Sequence, residues 1–241
     1  MLLIFGFSAI LWQMLIDRVI VGSLYTNAYI VSTGKKECIV IDPGDESETI
    51  IRRLEAMNLF PLAIVFTHGH LDHTSATRGI VDHYIGRDHH VAVGIHQDDA
   101  AFLGSGAAET NRTFFESFGE PGVNAFRTFS TSIPEPEFYY TEGESILDSD
   151  ITVMHTPGHS PGSSCFYSEP RSAVFTGDTL FFNTIGRTDF PSGDSEALEK
   201  SIMERLFTLP QQTRIFPGHG PLSSVEREVM NNPMMSDGAT I

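Results

Sequence analysis

The segment "THGHLDH", residues 67–73, follows the apolar run "PLAIVF" and narrows what this chain can become more than any other stretch. His68, His70, Asp72 and His73 crowd into one turn that leaves a strand and opens a helix. Gly69 relaxes the backbone between the first two histidines. Imidazoles packed that closely lose hydration and, once protonated, repel one another. A divalent cation removes both problems, and neutral imidazole with carboxylate suits zinc, iron or manganese. One turn does not complete such a site, so the fold must carry other donors to it.

Three candidates stand further along, each after a short β-like run and each directly preceded by glycine. They are His159 in "TPGHSPG", Asp178 in "FTGDTLF" and His219 in "FPGHGP". Together with the first cluster they are enough for two metals about 3.5–4 Å apart, the spacing with which hydrolases clamp a water-derived nucleophile. The plainer alternatives are a metal-free surface cluster and turn or capping roles for the later three. His83, His89, His90, His96 and His155 are scattered and read as solvated or core residues. The spacing leaves open whether His155, four residues before His159, supports the site.

Around these residues the pattern is that of an α/β chain. "VIVGSL", "NAYIVST" and "ECIVIDPG" read as strands, "ESETIIRRLEAMN" as a helix, "DHTSATRGIVDHYI" as another, "HVAVGIH" as a strand and "DDAAFL" as a short helix. From Gly104 to about Pro136 the composition turns to Gly, Ser, Thr and Pro with scattered Phe, which reads as a long surface excursion of the functional kind. Strand patterns return with "ITVMHTPGH", "SSCFYSE" and "SAVFTGD", then a helix "SEALEKSIMERLFTL", a strand "RIFPGH" and a short last helix.

The balance of 15 Lys+Arg against 31 Asp+Glu, a net charge of −16, excludes a broad phosphate-binding surface, so no nucleic-acid partner is expected. Cys38 and Cys165 each lie in an apolar β-like run, which reads as two buried free thiols in a reducing, cytoplasmic setting. The opening "MLLIFGFSAILWQML" is shorter than the ~20 residues a spanning helix needs and lacks a basic start and cleavage site. We divide the chain into an apolar N-terminal extension, residues 1–13, and a single domain, residues 14–241. The extension reads as an upstream start or a docked segment, with signal-like and anchor readings as alternatives. Membrane association is not expected. A homodimer would use the apolar surfaces of the extension and the excursion.

"THGHLDH", "PGHSPGS", "GDTLF" and "PGHG", in that order, resemble the motifs of the metallo-β-lactamase superfamily of hydrolases, over the chain from about Met14 onward. The resemblance implies an α/β fold, a four-layer αββα sandwich of the metallo-β-lactamase type, with the site where the two sheets meet at an edge. It implies His68, His70 and His159 as ligands of a first metal, Asp72, His73 and His219 as ligands of a second, and Asp178 as the bridging carboxylate. The cofactor would be two divalent metal ions per chain, zinc foremost with iron or manganese tolerated. The nucleophile would be a metal-bridging hydroxide that Asp72, the candidate catalytic residue, helps to orient.

Within the superfamily, "GDTLFFNTIGRTDFPSGD" looks closest to the glyoxalase II-like branch, implying a metal-dependent hydrolase of small thioesters such as S-lactoylglutathione. His73 argues against true β-lactamases, which generally lack it, and His70 against the flavodiiron branch. The chain ends soon after His219, where full-length glyoxalase II enzymes continue into a helical glutathione-binding domain, so glutathione carries over less well than the thioester chemistry. The alternative is a mononuclear iron persulfide dioxygenase, whose relatives share "GRTDF". A non-enzymatic metal-binding module is disfavoured by the complete ligand set. Arg187 is suited either to meet a substrate carboxylate or to make a structural ion pair. Asn111-Arg112-Thr113 matches a glycosylation sequon without a clear secretion signal.

Overall fold

Alternation along the strands sorts the apolar residues into three buried layers. Strand β2 (Thr26–Ser32) sends Ala28 and Ile30 to one face and Tyr29 and Val31 to the other. Strands β3 (Glu37–Ile41) and β4 (Phe60–Val65) repeat the division, with Cys38, Val40 and Ile64 on the first face and Ile39, Ile41, Ala63 and Val65 on the second. These belong, with β1 (Ile16–Val21), β5 (Ala92–His96) and β6 (Phe138–Tyr140), to a six-stranded sheet in the order β1-β2-β3-β4-β5-β6. The first three strands pair antiparallel and the rest parallel. The computed structural model describes residues 15–34, 36–129 and 132–235. The extension, residues 1–13, lies outside them.

A second sheet has the order β13-β12-β9-β8-β7, built from β7 (Thr152–His155), β8 (Ser164–Ser168), β9 (Ala173–Gly177), β12 (Arg214–Pro217) and β13 (Ser223–Ser224). A small hairpin, β10 (Leu180–Phe181) with β11 (Thr184–Ile185), stands beside it. Phe166, Phe175 and Phe216 meet Tyr29, Val31 and Ile39 between the two sheets. The Tyr29 ring stands edge-on to Phe175 and Phe216 at 5.1 and 5.6 Å, bulk that fills the ~10 Å gap between stacked sheets. The outer face of the second sheet carries Cys165, Val174 and Ile215 beneath Leu198, Ile202 and Leu206. The outer face of the first lies beneath Ile50, Leu54, Ile80 and Tyr84. Helix, sheet, sheet and helix thus follow in four layers, as expected.

Helix Ser47–Met57 forms because Ile50, Ile51 and Leu54 share one face. It stops at Asn58, whose left-handed φ of 53° lets its N–H return to the carbonyls of Leu54 and Glu55. The helix expected over residues 72–85 is instead a single turn, Leu71–Thr74, then a separate helix, Thr77–Ile85. The excursion departs from the expected surface loop. It holds two helices, Ala107–Glu116 and Glu120–Phe126, because Ala107, Asn111, Phe114 and Phe115 recur at helical spacing and turn toward the domain, as Phe126 does in the second. Buried Asn111 secures the first by donating to the carbonyls of Phe102 and Ala107, which takes it out of reach as a glycosylation acceptor in the folded chain. Both cysteines are buried and free, and burial pushes Cys165 up to about 11. Among the described residues no helix is long and apolar enough to cross a membrane.

Candidate metal centre

The expected site residues all leave strand ends on one edge of the sandwich. His68 and His70 follow β4, and Asp72 and His73 lie in the turn after them. His159 follows β7, Asp178 follows β9 and His219 follows β12. Donors from both sheets therefore converge where the two sheets meet. Gly177 allows the close approach: its φ is +48°, and a Cβ there would lie 2.2 Å from Thr67 Oγ1.

The side chains meet in three overlapping groups, His68–His70–His159, His68–His73–Asp178 and Asp72–His73–His219, each with its donor atoms within 4.8 Å of one another. His70 Nδ1 and His159 Nε2 stand 3.0 Å apart, and His73 Nε2 and His219 Nε2 3.3 Å apart. Asp178 lies between the two ends. Its Oδ1 is 3.4 Å from His73 Nε2, and its Oδ2 is 3.7 Å from His159 Nε2 and 3.6 Å from His219 Nε2. Asp72 Oδ2 reaches His219 Nε2 at 3.2 Å.

Hydrogen bonds on the far side of each ring decide which nitrogen faces inward. The Thr67 hydroxyl donates to Asp42 Oδ2 at 2.7 Å, so it accepts from His68 Nδ1 at 3.1 Å and leaves His68 Nε2 with a lone pair. Asp42 Oδ2 also accepts from His73 Nδ1 at 3.0 Å. The carbonyls of Arg187 and Leu24 accept from Nδ1 of His159 and His219, at 2.9 and 3.0 Å. In their neutral form four rings thus aim bare Nε2 atoms into one space, which is how imidazole ligates a metal whose outer partners fix the tautomer. His68 Nε2, His70 Nε2 and Asp178 Oδ1 are buried with no hydrogen-bond partner. That many orphaned donor atoms would be costly in an ordinary core, and they fit divalent cations.

Charge follows the same division. Burial holds His68 well below the ordinary imidazole range, lowers His159, and takes His70 down to about 3, with neighbouring imidazoles acting in the same direction. These rings are neutral ligands at pH 7. Burial opposes charge on His73 and His219 as well, yet Asp178 and Asp72 outweigh it and hold both above the ordinary range. Burial likewise opposes charge on Asp72 and Asp178, and here the imidazoles prevail and keep both carboxylates ionised.

Two supports were not foreseen as site residues. Asp42, in the "IDPG" turn, accepts from the Thr67 backbone N–H at 2.7 Å in addition to its bonds to the Thr67 hydroxyl and His73. Its position at the exit of a strand, like that of the ligands, was the available signal. Asp99 lies in a 3₁₀ turn, Gln97–Phe102. It accepts from Gly69 N at 2.9 Å, Ser160 Oγ at 2.7 Å and Gly162 N at 2.7 Å, tying the His68–His70 loop to the His159 loop. No local pattern marks it. His155 does not reach the centre. It stacks on His96 at 4.2 Å with planes 9° apart, and although Asp98 lies near, in-plane lone pairs of parallel rings do not converge on one ion.

Two pockets flank the centre and share Leu24, His159, Asp178 and Arg187. One, of about 460 Å³, is walled by Phe181, Phe182, Thr184 and Pro221. The other, of about 390 Å³, is walled by Phe114, Phe115 and Phe118 of the two-helix excursion and by Phe190. Arg187 stands on the ridge between them, paired with Asp189 at 2.9 Å and lying 5.4 Å over the rings of Phe118 and Phe190.

The sequence profile of the Metallo-beta-lactamase superfamily matches residues 21–219, which contain every ligand candidate. The chain belongs to the metallo-beta-lactamase superfamily. Among superfamily relatives, it is 33% identical over 230 residues to the hydroxyacylglutathione hydrolase GloC of Haemophilus influenzae, covering 92% of this chain and 98% of that one. It is 32% identical to the probable metallo-hydrolase YqgX of Bacillus subtilis, covering 91% and 96%. A crystal structure of BLEG-1, named a B3 metallo-beta-lactamase, superposes with a TM-score of 0.79 at 32% identity, over 92% of this chain and all of that one. A di-iron-bound form of TTHA1623 superposes at 0.73 with 35% identity, over 90% and 99%. The di-iron relative leaves iron beside zinc among the metals this donor set suits.

Proposed function

We propose that this superfamily member is a metal-dependent thioester hydrolase acting on S-lactoylglutathione-type substrates. The observation that carries the reading is the place of Asp178, with one oxygen toward His73 and the other toward His159 and His219. A carboxylate so placed would serve two cations, which His68, His70 and His159 on one side and Asp72, His73 and His219 on the other would hold. Held there, divalent cations supply Lewis acidity, polarising a carbonyl and acidifying water.

The chain's own residues do the rest. Asp42, Thr67 and the carbonyls of Leu24 and Arg187 keep four imidazoles in the tautomer that presents Nε2. Asp72, ionised beside His219 and lining one pocket, is placed to orient the attacking water. No Ser or Cys nucleophile is required, and both cysteines are buried. Cleavage adds water at the acyl carbon, breaks the C–S bond, and releases a carboxylate, a thiol and a proton.

The test is metal content of the purified protein together with cleavage of S-lactoylglutathione. Two metals per chain with turnover supports the hydrolase. One iron, no thioester cleavage and oxygen uptake with glutathione persulfide transfers the assignment to the dioxygenase. Likeness to BLEG-1 favours a second reading, lactam cleavage by the same acyl chemistry, which a nitrocefin assay on that preparation checks. His73→Ala should abolish second-metal binding and most hydrolysis; full activity with one metal would overturn the two-cation mechanism.

A further inference from the structure

Substrate must lie along the ridge that carries Asp178 and Arg187, with one of the two pockets on either side of it. Phe114, Phe118 and Phe190 form a mutual ring cluster in one pocket, at centroid distances of 5.2, 5.2 and 5.8 Å. Phe181 and Phe182 with Leu24 and Pro221 wall the other. Arg187 is the one Lys or Arg among the lining residues of either pocket, and its Nε and Nη2 are both bonded to Asp189 at 2.9 Å. Nearby, Arg227 stacks behind Phe182 and is held by Asn183 and Glu228, while Arg18 bonds the Gly220 carbonyl.

Glutathione brings two terminal carboxylates and one ammonium, and little here meets the carboxylates. Aromatic walls instead reward apolar surface, at roughly 1.5–3 kcal/mol for a ring-sized group taken out of water. We infer that the substrate is a thioester with an apolar, ring-bearing acyl group, seated against Phe114, Phe118 and Phe190, and an uncharged carrier arm, seated against Phe181, Phe182 and Pro221. This rests on the thioester hydrolysis proposed above, and puts a ring-bearing acyl group on an uncharged carrier in place of S-lactoylglutathione as the preferred substrate. Water adds at the acyl carbon and the sulfur leaves as a thiol, as for any thioester.

The experiment compares kcat/KM for four esters on one metal-loaded preparation: lactoyl and mandeloyl groups, each on glutathione and on N-acetylcysteamine. The mandeloyl esters should be cleaved roughly tenfold to a hundredfold better than the lactoyl esters on either carrier, the range that burial of one ring supplies. N-acetylcysteamine esters should match or exceed their glutathione counterparts. Because ratios on one preparation cancel the fraction of active protein, partial misfolding does not blur them. In Phe118→Ala the mandeloyl-to-lactoyl ratio should fall toward one, and in Phe118→Tyr it should be retained. A ratio at or below one in the parent chain, a preference for glutathione, or a ratio untouched by Phe118→Ala overturns the inference while leaving the hydrolase standing. Failure to cleave all four esters overturns the thioesterase reading beneath it.

Discussion

At Gly218 a hydrogen occupies the place where any side chain would set a carbon 2.3 Å from Asp178 Oδ1 and 2.7 Å from His73 Cε1. The glycine before His219 is therefore a spatial requirement of the two ligands beside it, and the Pro-Gly-His pattern is its trace in the sequence. Gly218→Ala should leave the circular dichroism spectrum unchanged, lower bound metal, and reduce kcat/KM about a hundredfold, the cost of misplacing a reactive group by about an ångström. Asp42 makes the complementary case. It touches neither cation site, yet its carboxylate accepts three hydrogen bonds and fixes the tautomers of His68, through Thr67, and of His73. Asp42→Asn puts an N–H against one of those donors. Metal affinity should fall about 10–100-fold, as outer partners of ligands usually cost, in a titration against a chelating dye. Unchanged affinity would show that the Nδ1 partners are dispensable.

Elements differ in how openly the sequence announces them. The strands and the helix Ser47–Met57 were legible because their apolar periods of two and about 3.6 are clean. All seven expected ligands meet at one edge because each ends a strand, and strand ends were readable from apolar runs closed by glycine or a polar turn. The excursion was misread for a physical reason: its Gly, Ser and Pro content is high, and the spacing of Asn111, Phe114 and Phe115 outweighs it only once there is a surface for them to cover. Asp99 was invisible because its partners, Gly69, Ser160 and Gly162, are far away in the chain. Burial pushes its carboxyl up while these bonds oppose the shift. Asp99→Ala leaves two backbone N–H groups and one hydroxyl without an acceptor, and should cost about 3 kcal/mol in denaturant unfolding, since each orphaned donor is worth about 1–3 kcal/mol. A loss under about 1 kcal/mol would mean that water replaces the carboxylate.

Across the whole molecule the two sheets are also joined opposite their aromatic core by one buried cation. Arg171 donates to the Ser32 carbonyl in β2 at 2.7 Å and, with two nitrogens, to Asp150 at 2.7 Å, while the Ser168 hydroxyl of β8 donates to the same carboxylate at 2.6 Å. Burial works against the Asp150 charge, but Arg171 and Ser168 prevail and draw its pKa below the ordinary value. A carboxyl lowered in the folded state stabilises fully above the unfolded pKa of about 3.9 and loses that contribution as pH falls through the folded value. Asp150→Asn should cost about 2 kcal/mol at pH 7, discounted from the cost of a fully buried pair because Asp150 is 28% exposed. The difference from the parent should narrow below pH 4 in thermal unfolding; a difference independent of pH would assign the effect to packing. The helices Ala107–Glu116 and Glu120–Phe126 stand apart from such ties. They leave the first sheet after β5 and the chain returns at its neighbour β6, and they reach the ligands through Phe114, which stacks on the His70 ring at 4.3 Å. A lineage that keeps a ring over His70 can therefore lengthen, shorten or rewrite the rest of them without dismantling the metal centre, so that diet can diverge while chemistry is inherited intact.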